Sequence, residues 1–125
     1  MSRDSTSVRL SEQGKEQLIK LKRITGIKQW NVLCRWALCV SLADSSPPLI
    51  RDVRTDSNVE MSWRTFAGGL GTAFTAAVRL RMRVDGDDDF DRVLTAHVHR
   101  GIGMLAGLAT RQDSIDDLIL MGANP

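Results

Sequence analysis

Cysteine, proline and long apolar runs are scarce in this chain of 125 residues, which has two cysteines and three prolines. Two cysteines cannot form the disulfide framework of a small secreted domain. No apolar run approaches the roughly 18 residues that cross a bilayer. The first seven residues are polar and lack the apolar core of a signal peptide. We therefore expect a cytoplasmic protein.

The overall composition is that of a folded domain, with 42% hydrophobic and 26% charged residues. These values argue against a wholly disordered chain, and the length fits one domain. The net charge is only +2, but it is unevenly distributed. Residues 1–43 carry eight basic and three acidic residues, whereas residues 44–125 carry nine basic and twelve acidic residues. A basic first part indicates a polyanionic partner; a solvated helix surface without a partner is the alternative.

The pattern of the first part predicts a strand followed by two helices. Residues 8–10 alternate in polarity, Ser11 can cap a helix over 12–24, and that helix is expected to stop at Gly26. A second helix is expected over 28–43. It is apolar on nearly all sides, which favours an oligomer whose subunits share this helix.

A linker over 44–58 follows. Pro47 and Pro48 prevent a helix there, and residues 56–58 favour a turn. Residues 59–66 then alternate in polarity, which predicts a strand and leaves a helix open.

The part over 59–120 is otherwise expected to be helical. The glycines around position 69 predict a turn, and a helix follows over 70–84. We expect its buried face to contain Leu70, Phe74, Ala77 and Val78. One of the aspartates at 87–89 begins the next helix, within which Gly101 and Gly103 are weak points or sites of close packing. A short last helix is expected over 114–120.

The order of these elements predicts a mainly α fold in one domain, 1–125. Its basic part, 8–43, has the layout of a ribbon–helix–helix module; a linker, 44–58, and a helical part, 59–120, follow. In a ribbon–helix–helix protein two chains pair their strands into an antiparallel ribbon that enters the major groove of DNA. Backbone amides at the helix starts contact phosphates.

Basic side chains form the strongest chemical signal. They are Arg9, Lys15, Lys20, Lys22, Arg23, Lys28 and Arg35. Lys15 and Lys22 share one helix face, Lys28 stands at the start of the second helix, and Arg9 could reach a DNA groove from the ribbon. Such cations can neutralise phosphates and release counterions. The alternative is solubility, since Glu16 and Lys20 form a favourable helical pair without any ligand.

No pattern in the sequence predicts catalysis, a metal or a cofactor. Cys34 and Cys39 point about 140° apart on a helix, so we expect two core cysteines rather than a bridge. His97 and His99 diverge by about 200°, which does not suit a zinc site. His97 is expected to be a packed polar residue, whereas His99 and Arg100 could be exposed and functional.

Two further clusters favour ordinary structural roles. The glycines at 68–71 predict a turn, because no phosphate-loop lysine follows them. The five aspartates of 85–91 lack the calcium-binding pattern of an EF-hand and predict a solvated loop with a helix cap. The three tryptophans are candidate core or interface anchors: Trp30, Trp36 and Trp63.

Three blocks, 8–39, 56–68 and 97–107, closely resemble the DndE family, the E component of the bacterial Dnd DNA phosphorothioation system. The string Gly-Ile-Lys-Gln-Trp-Asn at 26–31 is the most distinctive part. The resemblance covers nearly the whole chain and keeps the order of the blocks.

The resemblance implies a role in replacing a non-bridging phosphate oxygen of DNA by sulfur. A cysteine desulfurase and an iron–sulfur partner in other subunits would handle the sulfur. The E component would be a small helical homo-oligomer, a tetramer, that binds duplex DNA, with preference for nicked DNA, through surface lysines. This carries DNA contact onto Lys15, Lys20, Lys22, Arg23 and Lys28, and it supplies no catalytic residue.

Three hypotheses follow. The first is a non-catalytic DNA-binding subunit of the phosphorothioation machinery. The second is a protein–protein scaffold in which the tryptophans anchor partners and the lysines maintain solubility. The third is a sequence-specific ribbon–helix–helix repressor that reads DNA with Arg9.

Overall fold

A short two-stranded sheet joins the first part of the chain to the second. The structure is a computed structural model that describes the backbone of residues 6–123 and the side chains of residues 6–112. Strand β1, Ser7–Arg9, pairs antiparallel with β2, Glu60–Ser62, so that Val8 lies opposite Met61 and Arg9 opposite Glu60. The predicted alternation is confirmed, because Val8 is buried and Arg9 is exposed. The ribbon seen here forms within one chain, and a ribbon between two chains stays a prediction.

Helix α1, Glu12–Thr25, begins at the predicted residue and ends one residue after the predicted 24, directly before the predicted stop at Gly26. The Ser11 hydroxyl accepts a hydrogen bond from the Gly14 N–H, and Gly26 adopts the left-handed conformation, φ +77°, that ends a helix. Leu18 and Leu21 are buried against the core.

Helix α2, Trp30–Ala43, starts two residues later than expected. Within one chain it is buried on one face only, which carries Leu33, Cys34, Ala37, Leu38 and Ser41. Trp36 on the opposite face is 51% exposed. Cys39 is exposed as well, so its predicted place in the core is wrong for the single chain, while Cys34 is buried as expected.

The linker over 44–58 forms neither helix nor strand, as predicted. Arginines of two later helices fix its beginning and also cap α2. Arg81 donates to the carbonyl oxygens of Leu42 and Asp44 at 2.6 and 2.8 Å. Arg100 donates to the carbonyl oxygens of Ser41 and Ser46, each at 2.7 Å. The bonds to Ser41 and Leu42 add donors to carbonyl groups in the last turn of α2, and the bonds to Asp44 and Ser46 hold the linker against the helices.

Residues 59–66 contain both of the structures that the sequence allowed. Strand β2 ends at Ser62, and helix α3, Trp63–Ala67, follows at once with Ser62 as its cap. A 3-10 turn, Gly68–Leu70, leads into helix α4, Gly71–Asp85.

Helix α4 departs from the prediction at its first expected core residue. Phe74 and Val78 are buried as predicted, but Leu70 is 55% exposed because it belongs to the preceding turn.

Helix α5, Phe90–Ala123, is one continuous helix of 34 residues. The separate helix predicted over 114–120 is therefore wrong. The start agrees with the prediction: Asp89 accepts a hydrogen bond from the Arg92 N–H at 3.2 Å and caps the helix.

The core lies where α5 crosses α2 and the aromatic cluster of α3. The Trp63 ring lies 5.6 Å from Phe66 and 5.8 Å from Phe90, measured between centroids. Gly101 faces the backbone of Ala37, and a Cβ on Gly101 would collide with the Ala37 carbonyl group. This glycine therefore lets the two helices approach closely, which explains why an apparent weak point lies inside a long helix.

The fold is thus mainly helical, with one small sheet. Among the described residues, no helix combines the length and apolar character needed to cross a membrane.

Candidate nucleic-acid interface

Two cations of the predicted site lie beside the end of the linker. Arg9 on β1 donates from Nε to the Ser57 carbonyl oxygen at 3.0 Å. Lys15 on α1 donates from Nζ to the Asn58 side-chain oxygen at 2.7 Å. Adjacent linker residues therefore hold both side chains, and Arg9 remains exposed.

Lys22 continues the same face of α1. It follows Lys15 by seven residues, about two helical turns or 10 Å along the axis. Its Nζ lies 3.5 Å from the centroid of the Trp30 ring. A cation above the face of an indole ring is attracted by the negative charge of that face. Lys22 is thus held at the corner between α1 and α2.

The start of α2 adds a second source of positive potential. Its capping residue, Gln29, makes no side-chain capping bond, and the first turn contains no acidic residue. The free N–H groups and the dipole of a helix start attract anions. Lys28 precedes this helix start by two residues and is exposed.

We call Arg9, Lys15, Lys22 and Lys28 the basic strip. It runs from the sheet, along one edge of α1, to the start of α2. The other two predicted contacts, Arg23 and Lys20, lie on other faces of α1. Around the helix axis, Arg23 is rotated from Lys15 by about 80° and Lys20 by about 140°. The structure therefore does not bring Lys20 to the strip.

Two features of the corner between α1 and α2 were not predicted from the sequence. They are the Trp30 ring beneath Lys22 and the uncapped start of α2. The uncapped start of α2 could have been predicted, because no Ser, Thr, Asp or Asn stands immediately before Trp30. The contact between Lys22 and Trp30 depends on how α1 packs against α2, which spacing alone does not give.

His97 is a packed polar residue, as predicted. It is fully buried, and its Nδ1 lies 2.7 Å from the Ser41 hydroxyl oxygen. Arg100 donates from Nε to the same oxygen at 2.8 Å, so the Ser41 hydroxyl hydrogen is available for Nδ1. Burial, followed by the positive charges of Arg100 and Arg81, lowers the His97 pKa from 6.5 to about 4. The ring is therefore neutral at physiological pH.

His99 and Arg100 are also engaged within the chain, so the exposed pair considered from the sequence is wrong. His99 accepts the Ser11 N–H at Nε2, 3.0 Å away, and its Nδ1 lies 2.8 Å from the Thr95 carbonyl oxygen. Burial lowers its pKa. Both histidines join helices, and neither lies on the basic strip.

The remaining candidates occupy structural positions. Burial raises the pKa of the Cys34 thiol to about 12, which makes it a poor nucleophile. The aspartates before α5 form a loop in which Asp87 accepts the Asp89 N–H, and the predicted helix cap is provided by Asp89, which accepts the Arg92 N–H. Within the described part of the chain, no group of three histidine, cysteine or acidic side chains could hold a metal ion.

Comparison with known proteins identifies the family. The profile of the family described as DNA sulphur modification protein DndE matches residues 7–112. The chain belongs to the DndE family. No curated protein matches it.

A solved DndE structure is similar in fold. It is described as the crystal structure of DndE from Escherichia coli B7A involved in DNA phosphorothioation modification. The TM-score is 0.64 at 25% identity, and the match covers 79% of this chain and 95% of that chain. This chain is therefore a DndE-family member of the DNA phosphorothioation system, and the whole basic strip lies within the matched region.

Proposed function

We propose that this DndE-family chain is a non-catalytic subunit that binds duplex DNA through the basic strip. The continuity of four cations with the uncapped start of α2 carries this proposal. A line of cations that ends at a helix start suits a phosphate backbone, because each element attracts anions and none distinguishes bases.

The predicted groove-reading role of Arg9 is the least supported part. Its Nε is committed to the Ser57 carbonyl oxygen, and Glu60 lies opposite it in the sheet. These contacts leave the outer guanidinium nitrogens for a phosphate. We therefore propose binding that is salt-dependent and nearly indifferent to sequence.

Nicked DNA is the form that the corner of the strip suits best. Lys22 and Lys28 flank the start of α2, which concentrates positive potential at one point. A terminal phosphate at a strand break carries more charge than an internal phosphate diester and is accessible from more directions. One concentrated site therefore gains more at a nick than along an intact duplex.

We further propose a homo-oligomer, a tetramer, that assembles through the outward face of α2. The half-exposed indole of Trp36 supports this, because large exposed aromatic side chains are characteristic anchors of subunit contacts. In this arrangement several copies of the strip would contact one DNA molecule.

The sulfur chemistry is assigned to other subunits, and this chain would need no metal or cofactor. The internal hydrogen bonds of His97 and His99 support this assignment, since His97 Nδ1 is engaged by Ser41 and both ring nitrogens of His99 are engaged by Ser11 and Thr95. We therefore propose that this chain binds DNA in the cytoplasm while other subunits carry out the sulfur chemistry.

A scaffold that contacts only proteins is the second candidate, and Trp36 favours it as much as it favours self-assembly. The repressor reading has less support, because β1 already pairs with β2 along one edge.

The test compares binding to intact, nicked and single-stranded DNA of one sequence over a salt series. We expect the tightest binding to nicked duplex, with affinity falling steeply as salt rises. Combined replacement of Lys15, Lys22 and Lys28 by Ala should lower the logarithmic salt slope by about 0.9 for each lost phosphate contact.

Arg79→Ala with Arg83→Ala is the matched control. Both arginines are exposed on α4, away from the strip, and their loss should change the affinity much less. Equal effects of the two sets, or no DNA binding at low salt, would make the basic strip a solubility feature and leave the scaffold as the better candidate.

A further inference from the structure

The lysines of the basic strip differ from other cations of the chain in what surrounds their charge. Two arginines outside the strip lie beside carboxylates: Arg54 is 3.7 Å from Asp56, and Arg92 is 3.0 Å from Asp52. Within the described part of the chain, no carboxylate oxygen lies within 4 Å of the ammonium nitrogen of a strip lysine. The strip lysines therefore keep charges that no ion pair of the chain neutralises.

Lys15 is held instead by an uncharged amide. Its Nζ donates to the Asn58 side-chain oxygen at 2.7 Å. An ammonium group has only hydrogens to donate, so it contacts the oxygen of the amide and not its nitrogen. This hydrogen bond fixes the position of the ammonium group and leaves its net charge unchanged.

Asn58 is fixed independently of the lysine. The Ser57 N–H donates to the Leu10 carbonyl oxygen, and the Leu10 N–H donates to the Val59 carbonyl oxygen, each at 3.0 Å. Ser57 is also buried. The backbone on both sides of Asn58 is therefore bonded to the residue that follows β1. The amide thus has a defined place before Lys15 contacts it.

Lys22 is held by a second uncharged group. Its Nζ lies 3.5 Å from the centroid of the Trp30 ring. Trp30 is the first residue of α2, and its side chain is partly buried against the core. The face of an indole ring attracts a cation without carrying an ionised group. Two lysines of one strip thus share the same arrangement, although their partners differ in chemistry and lie far apart in the sequence.

An uncharged holder is well suited to a lysine that contacts phosphate. A lysine side chain that moves freely loses rotational freedom when it is fixed on a ligand, whereas one that is already held loses less. A carboxylate would hold the ammonium group as well, but DNA would then have to displace an anion from it. An amide oxygen or an indole face orders the side chain and leaves its charge for the phosphate.

We propose that Asn58 and Trp30 are positioning residues for DNA binding, which hold the ammonium groups of Lys15 and Lys22 in place for phosphates without neutralising them. The inference rests on the proposed binding of DNA to the basic strip. The variants below distinguish a failure of the positioning from a failure of DNA binding itself.

Asn58→Ala tests the first positioning residue in the full chain. We expect it to weaken binding of duplex DNA about threefold to tenfold at every salt concentration, because one more side chain must be ordered on binding. The logarithmic salt slope should stay the same, since Lys15 keeps its charge. Lys15→Ala, by contrast, should lower the slope by about 0.9.

The same substitution in a Lys15→Ala background separates positioning from a structural role. If Asn58 acts through Lys15, Asn58→Ala should then cause no further loss of affinity. A disturbed turn would weaken binding equally in both backgrounds. Ser46→Ala is the control, because it removes a hydrogen bond at the other end of the linker, and it should leave the affinity unchanged.

Asn58→Asp tests whether the missing charge of the holder matters. It keeps nearly the same shape but places a carboxylate against the Lys15 ammonium group. We expect it to lower both the affinity and the salt slope, as Lys15→Ala does, because the lysine then releases fewer counterions from DNA. A salt slope equal to that of the wild-type chain would contradict the role given to the uncharged amide.

The contact with Trp30 can be measured without DNA. Protons above the face of an indole ring are shielded, so the ε-methylene protons of Lys22 should resonate upfield of those of the other lysines. Trp30→Leu should abolish this shift and weaken DNA binding about threefold to tenfold, whereas Trp30→Phe, which keeps a weaker aromatic face, should lose less affinity.

The outcomes separate the two proposals. If Lys15→Ala weakens DNA binding but Asn58→Ala does not, or if Asn58→Ala acts equally in both backgrounds, the positioning role of Asn58 is wrong and DNA binding by the strip stands. An unshifted Lys22 resonance would overturn the role of Trp30. If neither Lys15→Ala nor Lys22→Ala weakens binding, DNA does not contact the strip and both proposals fail.

Discussion

The Ser41 hydroxyl oxygen lies 2.7 Å from His97 Nδ1 and also accepts a hydrogen bond from Arg100, so one side chain joins α2 to two groups of α5. Ser41→Ala would remove both bonds and leave a fully buried imidazole nitrogen without a partner. We expect the free energy of unfolding to fall by about 1–3 kcal/mol. Urea unfolding measures this loss, with the exposed Ser45→Ala as the control. An unchanged midpoint would show that the contact adds nothing to stability.

The same histidine predicts how stability depends on pH. Folding lowers the His97 pKa from 6.5 to about 4, and burial also lowers that of His99. Below about pH 6.5 the unfolded chain therefore binds more protons than the folded chain. As a result the free energy of unfolding falls as the pH drops toward 4. For His97 the loss is on the order of 3 kcal/mol at most.

Urea midpoints between about pH 7 and pH 4.5 measure this effect separately from the carboxylates. Hydrogen bonds lower the pKa values of Asp44 and Asp56 below 3.8, so their contributions are lost only in stronger acid. His97→Gln should flatten the profile. A profile that is already flat in the wild-type chain would show that the imidazole is solvated.

Two glycines of α5 should respond oppositely to alanine. At Gly101 a methyl group would collide with the Ala37 backbone, which cannot move without separating α2 from α5. We expect Gly101→Ala to cost about 3 kcal/mol or more. At Gly107 nothing lies within 4 Å of an added Cβ, so Gly107→Ala should stabilise the helix by up to about 1 kcal/mol. Thermal unfolding compares the two, and a shift of the same sign in both would contradict the packing described here.

Local signals were sufficient for the elements whose ends are set by neighbouring residues. Ser11 and Gly26 act within one turn of the helix that they bound, so α1 was predictable to within one residue. The same holds for Asp89 before α5. Val8 and Arg9 also took their predicted sides of the strand, since alternation follows from strand geometry alone.

Distant contacts were not predictable in this way. The partner of β1 lies some fifty residues away in β2, and nothing near Val8 specifies it. Cys39 resembles a core residue by type, but its exposure depends on which face of α2 meets α5. Gly101 weakens a helix by residue type, and only the packed structure shows that it faces Ala37 and serves as a packing position. In the candidate interface, the cations could be identified by residue type, whereas the contact of Lys22 with the Trp30 ring becomes visible only in the packed structure.

A comparison of Lys20 with Lys15 tests whether DNA binds to the basic strip or responds only to the overall positive charge. Lys20 and Lys15 carry the same charge on one helix, but they point about 140° apart. Lys15→Ala should weaken binding of all duplex sequences about equally and lower the salt slope by about 1. Lys20→Ala should have a distinctly smaller effect. Equal losses would indicate binding by overall charge, and a change of base preference in the Lys15 variant would show that Lys15 does more than contact a phosphate.

Trp36 offers the most direct test of assembly. Its side chain is 51% exposed in the single chain, on the face of α2 directed away from the core. If that face joins subunits, Trp36→Ser removes an aromatic anchor, which at interface centres costs about 2 kcal/mol or more and weakens association about thirtyfold. Light scattering after size-exclusion chromatography should then show a smaller assembly, while Leu80→Ser, which removes an exposed side chain from α4, should leave the mass unchanged. An unchanged mass in the Trp36 variant would mean that this indole remains exposed on the assembly. It would then be available to contact other proteins, which would favour the scaffold hypothesis.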